Sequence, residues 1–88
     1  MKPELSKHVR QEMGRRGIPL AVVESVLAAP GQKVPEHGDV VCYQSNVEIN
    51  QKPYPYLVRV MVNETATPAK VVTVYRTSKI NRCWKATT

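Results

Sequence analysis

The 88-residue sequence predicts an α+β fold, two N-terminal helices packed on a three- to four-stranded antiparallel sheet. Three observations point to it. Before Pro30, apolar residues recur at helical spacing, first Leu5, Val9 and Met13, then Val22, Val23, Val26 and Leu27. After Pro30 the period shortens to two, as in strands with one buried face. The helices come first and the strands follow consecutively, which favours an antiparallel meander covered by helices on one side. The length allows one domain, residues 1–88.

The first helix is expected over about 5–16. His8, Glu12 and Arg15 form a polar stripe beside its apolar one. Arg15 and Arg16 suit a helix C-terminus, and Gly17 is a natural stop after them. Pro19 can open a second helix over about 19–29, which Pro30 and Gly31 end. Residues 33–36 read as a short edge strand and His37-Gly38-Asp39 as a turn. A longer strand over 40–49 is rich in Val, Tyr and Ile. Along 54–62, Tyr54, Tyr56, Val58, Val60 and Val62 point one way, Leu57, Arg59 and Met61 the other. The last strand, 71–77, has ambiguous periodicity. Matching apolar to apolar puts Val72 and Val74 on the helix-covered side and leaves Arg59, Thr73, Tyr75 and Thr77 on an open face. A slip of one residue puts Arg76 and Ser78 beside Arg59 instead. A basic tail, 78–88, closes the chain.

The net charge of +6 is unevenly spread. Residues 1–17 carry five basic and two acidic side chains, 18–64 three and five, and 65–88 five and none. If the termini meet, they form one basic patch of the kind that holds phosphate backbones; the alternative is a surface that only confers solubility. An anionic membrane is a weaker fit, because the cations do not face a large apolar helix surface. No signal peptide stands at Met1–Arg10, and Ile18–Ala29, interrupted by Glu24, is too short to span a bilayer. A cytoplasmic location is expected, with Cys42 and Cys83 as thiols. Neither cysteine has a neighbour at metal-ligand spacing, and no cofactor or metal is expected.

The densest polar stretch is Tyr75-Arg76-Thr77-Ser78-Lys79, a phenol, a guanidinium, two hydroxyls and an ammonium in five residues. Such donors suit the oxygens of a phosphate under attack; a solvated strand end is the bland alternative. Arg76, Lys79, Arg82 and Lys85 recur every third residue with Trp84 among them, a pattern that can track a strand and stack a base, although a lone tryptophan more often closes a core edge. His8 titrates nearest neutrality and can move protons; His37 reads as a turn residue. Arg59 is the one charge in an apolar strand, either a phosphate ligand or a cross-strand partner of Glu48. Tyr43, Tyr54 and Tyr56 are most simply sheet packing.

Two blocks resemble a bacterial family labelled domain of unknown function 4258. The first is His8-x-Arg10-x-x-Met13-x-x-Arg16-Gly17-Ile18, followed by a short helix ending at Pro30. The second is Leu57-Val58-Arg59-Val60, continued by Val71-Val72-Thr73-Val74-Tyr75-Arg76-Thr77-Ser78-Lys79-Ile80 and Trp84. The resemblance implies a fold similar to the RelE, MqsR and barnase-like ribonucleases, which cut RNA on a small antiparallel sheet without metal, and a cognate antitoxin partner. It places the family's helix histidine on His8, its strand arginine on Arg59, and its terminal hydroxyl and basic cluster on Tyr75, Arg76, Thr77 and Lys79. Glu12 departs from the family pattern, in which many members carry a basic residue, and a carboxylate there changes the part open to His8.

The expectation is therefore a metal-independent endoribonuclease of the bacterial toxin type. His8, Arg59, Tyr75, Arg76, Thr77 and Lys79 would be catalytic, and Arg10, Arg15, Arg16, Arg82, Trp84 and Lys85 would bind RNA. The alternatives are a non-catalytic module whose basic surface holds RNA or an acidic protein, and a folded protein whose surface has no nucleic-acid role.

Overall fold

A computed structural model describes residues 3–47 and 56–78. Its elements are β1 (Glu4–Leu5), α1 (Lys7–Arg15), α2 (Leu20–Ala28), β2 (Gln32–Pro35), β3 (Val40–Val47), β4 (Tyr56–Asn63) and β5 (Lys70–Thr77). The five strands form one sheet in the order β1-β5-β4-β3-β2. The α+β class and the two helices agree with the sequence. The sheet differs from the expected three or four antiparallel strands: it has five, and β1 runs parallel to β5, Glu4 opposite Lys70 and Leu5 opposite Val71.

Leu5 explains the difference. Its spacing from Val9 fits a helical stripe, yet Ser6 intervenes as N-cap, its hydroxyl accepting from the Val9 amide at 3.2 Å. Helix α1 therefore starts at Lys7, and Leu5, half-buried against the core, is left to the sheet. The helix ends on Gly17, whose φ of +65° suits glycine. The Ile18 amide donates to the Met13 carbonyl at 2.9 Å and the Gly17 amide to that of Gly14 at 3.3 Å. This pair of bonds satisfies the last helical carbonyls and sets Ile18 against Met13, both buried. Pro19 precedes the first turn of α2, and Gly38, also at positive φ, turns β2 into β3.

Helix α1 lies over β5, and α2 over β3 and β4. Val9, Met13, Val23 and Val26 pack on Val58, Val60, Val62 and Val74, all buried. Val58 pairs with Arg76, Arg59 with Tyr75, Val60 with Val74 and Met61 with Thr73. Between Met61 and Val62 the register shifts, so that Val62 faces Val71 and Val72 becomes the extra residue of a bulge. Val72, expected on the helix side, is half-exposed, and Val71 takes the buried place. Thr73, Tyr75 and Thr77 share a face with Arg59, as apolar matching predicts.

That second face is not open at its centre. Leu57, Cys42 and Gln44 on it are fully buried, and Arg59 is 8 % exposed. Its polar side chains lie along the sheet, bonded to one another. Tyr54 and the end of the strand expected over 40–49 lie outside the described residues, as do Cys83 and residues 79–88 of the tail. Among the described residues, no helix is long and apolar enough to cross a membrane.

Candidate functional site

Alternation along β5 sends neighbouring side chains to opposite faces. Arg76, opposite Val58, belongs to the helix side; Tyr75 and Thr77, opposite Arg59 and Leu57, belong to the other. The six expected catalytic residues are thus divided. Arg59, Tyr75 and Thr77 share one face, Arg76 turns to the α1 side with His8, and Lys79 lies outside the described residues. Arg59 and Arg76 do not converge on one phosphate.

Arg59 is occupied by its own fold. Its Nε donates to Gln44 Oε1 at 2.9 Å, its Nη1 to the Tyr75 hydroxyl, and its Nη2 to Glu36 Oε1 at 2.5 Å. Burial works against the guanidinium charge, but the Tyr75 and Glu36 bonds outweigh it and raise the pKa above the ordinary arginine value. The expected alternative partner, Glu48, lies outside the described residues. The sheet supplies Glu36 instead, one residue beyond β2. A second lock joins β2, β3 and the β4–β5 connection. There Tyr43 donates to Glu64, whose Oε2 is 3.1 Å from Lys33 Nζ. These bonds hold the Glu64 carboxyl below the usual range, and burial raises the Tyr43 phenol.

The seam between α1 and β5 is different in character. Two successive helical turns bring His8, Arg15 and Arg16 to the Glu12 carboxylate between them. His8 Nε2 is 3.9 Å from Glu12 Oε1, Arg15 Nη2 donates to that oxygen at 2.5 Å, and Arg16 Nη2 is 3.2 Å from Oε2. The Arg15 hydrogen bond leads the causes that lower the Glu12 pKa, so the carboxylate stays ionised. Arg16 also crosses to the sheet, its Nη1 donating to the Val74 carbonyl at 2.6 Å.

Arg76 lies on the neighbouring strand, near the end of α1. Its guanidinium sits over the Tyr56 ring, 4.6 Å from the centroid. A Cβ on Gly17 would stand 3.9 Å from its Nη2. Arg76 Nη1 is buried and makes no hydrogen bond. His8 is exposed, so the face where α1 meets β5 carries an accessible imidazole near an ion-paired carboxylate, with the Arg15 and Arg16 guanidiniums on that carboxylate and Arg76 near the helix's end at Gly17. Such a set can bind anionic oxygens and carry protons. Among the described residues no group of three His, Cys, Asp or Glu could hold a metal.

Of the expected RNA contacts, Arg15 and Arg16 stand in the seam, each ion-paired with Glu12. Arg10 is exposed on another flank of α1. Arg82, Trp84 and Lys85 lie outside the described residues. Sequence reasoning treated Glu12 only as a modifier of His8 and Tyr56 only as packing. It missed Gln44 and Glu36 as partners of Arg59. The i, i+4 spacing of His8 and Glu12 was a usable signal; the cross-strand pairs had none without the register.

No curated protein and no solved structure matches the chain significantly. One family profile matches residues 5–76, a span that holds α1 and all but the last residue of β5. The chain belongs to the family described as Domain of unknown function (DUF4258).

Proposed function

We propose that this domain is a metal-independent endoribonuclease of the bacterial toxin type that seats RNA phosphodiesters on the α1–β5 seam. The observation that carries the reading is Arg76, whose Nη1 makes no hydrogen bond on the strand that packs against α1, the helix that bears His8. In such cleavage the ribose 2′-oxygen attacks phosphorus and the 5′-oxygen leaves, giving a 2′,3′-cyclic phosphate and a 5′-hydroxyl. One group must take the 2′ proton and another must protonate the leaving oxygen. His8, an exposed imidazole, takes the 2′ proton, and a solvent water protonates the leaving 5′-oxygen. Arg76 donates to a non-bridging phosphate oxygen, where a fixed guanidinium stabilises the extra charge of the transition state. Arg15 and Arg16 add positive potential along the approach. Arg59, Tyr75 and Thr77 support the sheet from its other face. An acidic partner protein of the antitoxin kind would cover the same cations.

The test is incubation of the purified, partner-free protein with labelled mixed-sequence RNA in EDTA. We expect cleavage that falls about 100-fold or more in His8→Ala and Arg76→Ala. Cleavage that persists undiminished in both folded variants would sink the assignment.

A second reading is a non-catalytic module that holds RNA or an acidic protein on the same seam. It is favoured by the exposure of His8, whose side chain is 77 % accessible and 3.9 Å from Glu12, with little to hold the imidazole. It predicts binding that weakens steeply with salt and RNA that stays intact.

A further inference from the structure

A strand has two edges, and along most of its length β5 uses one. Towards β4 it is paired from Lys70 to Thr77. On its other edge β1 meets it at Lys70 and Val71 alone. Among the described residues, the stretch from Val72 to Thr77 has no strand beside it there. That stretch is open to solvent: Val72 is 50 % exposed, and Thr73, Tyr75, Arg76 and Thr77 are half-buried. A donor from outside the sheet reaches its backbone. Arg16 Nη1 donates to the Val74 carbonyl at 2.6 Å, with Thr73 Oγ1 at 3.5 Å. An edge of this kind is where an extended segment of another protein can add a strand, main-chain hydrogen bonds giving the affinity and side chains the selectivity.

Charge chooses the occupant. Lys70 and Arg76 lie on β5, and Arg15 and Arg16 close α1, the helix packed on that strand. The acids nearby are Glu4 on β1 and Glu12, and Glu12 is held by Arg15 and Arg16. A second copy of the chain offers the same cations and not their complement, whereas an acidic segment offers both the complement and a strand. We propose that the β5 edge from Val72 to Thr77 is a docking edge for an acidic, extended segment of a partner protein, which adds to the sheet in line with β1. On docking, the Arg16 guanidinium yields the Val74 carbonyl to a backbone amide of the segment and turns to one of its carboxylates. The segment's alternate apolar side chains pack at Val72. This edge is distinct from the seam's reading as an RNA site and holds whether or not RNA is cleaved.

The experiment is an NMR titration of the full chain with capped peptides of about eight residues, the length of a strand. One alternates valine with glutamate, one alternates valine with lysine, and one is the glutamate peptide with every amide N-methylated, which keeps the charge and cannot donate a ladder bond. The glutamate peptide should bind about tenfold more tightly than either of the others, the order of one or two net hydrogen bonds. Its shifts should centre on residues 72–77, and amide exchange there should slow. Val72→Glu, at an exposed position, should weaken that binding severalfold. Arg10→Glu, which removes more positive charge from another flank of α1, should change it by about twofold at most. Equal binding of the glutamate peptide and its N-methylated form, shifts centred away from 72–77, or no binding at all overturns the docking edge. So does an Arg10→Glu loss as large as that of Val72→Glu. RNA cleavage in EDTA is followed on the same protein: peptide failure with cleavage intact overturns the edge alone, and peptide binding without cleavage supports the edge and overturns only the ribonuclease.

Discussion

Arg59 and Arg76 show how much a single residue's meaning depends on which face of a strand it occupies. Arg59 spends its donors on Gln44, Tyr75 and Glu36, whereas Arg76 leaves a buried N–H unsatisfied. Their variants should therefore separate cleanly. Arg59→Ala would strand Glu36, Tyr75 and Gln44 without their shared donor, at a cost of about 2–3 kcal/mol, somewhat below that of breaking a fully buried pair because Glu36 is part exposed. Urea unfolding of the two alanine variants should show this loss for Arg59 and little loss for Arg76, with RNA binding showing the reverse order. Arg59→Lys should not rescue stability, since an ammonium cannot reproduce a three-way planar fork. The sequence showed that an arginine sat mid-strand but not which groups it met, because Glu36 and Gln44 reach it only through the β2–β3–β4 register.

At the scale of elements, local chemistry was legible and long-range pairing was not. Gly17, Pro19 and Gly38 mark the same boundaries in the sequence and in the fold, because a positive φ or a missing amide acts on the chain at that residue. Leu5 was misassigned because one residue satisfied two periods, and only the Ser6 cap and the distant β5 decide between them. The bulge that turns Val72 outward was likewise invisible, since the sequence 71–74 offers valine to both faces. The end of α1 allows a sharp test. Gly17 stands at φ +65°, so Gly17→Ala should lower stability by about 1–2 kcal/mol. Gly14, three residues earlier within the helix, has nothing within 4 Å of an added Cβ. There Gly14→Ala should raise stability by about 0.5–1 kcal/mol. Two denaturation curves of opposite displacement would confirm the boundary; displacement in the same direction would contradict it.

For the molecule as a whole, two carboxylates among the described residues are held below their ordinary range and contribute to the response to acid. Glu12 is held low by its Arg15 bond, and Glu64 by bonds from Tyr43 and Lys33. Each has a lower pKa folded than unfolded, so the unfolded chain binds protons first as pH falls. Their stabilisation is fully present above the ordinary carboxylate value near 4.3 and is lost as pH falls through the depressed folded values. Thermal melts should thus be flat through the carboxylate contribution above about pH 5 and fall below it. Glu64→Gln should melt lower at neutral pH and lose less on acidification; an acid response identical to wild type would show that the pair with Lys33 and Tyr43 does not form in solution.

The bond from Arg16 to the Val74 carbonyl also bears on how copies of this chain behave in company. Strand β1 pairs with β5 only at Lys70 and Val71. Beyond them, among the described residues, the outer margin of β5 pairs with no strand, and its half-exposed Val72 makes it adhesive. An unpaired margin of this kind is a template on which another chain can extend the sheet. Arg16 occupies one of the carbonyls such an extension would need. The residue that braces the helix against the sheet thereby also takes one acceptor out of that margin.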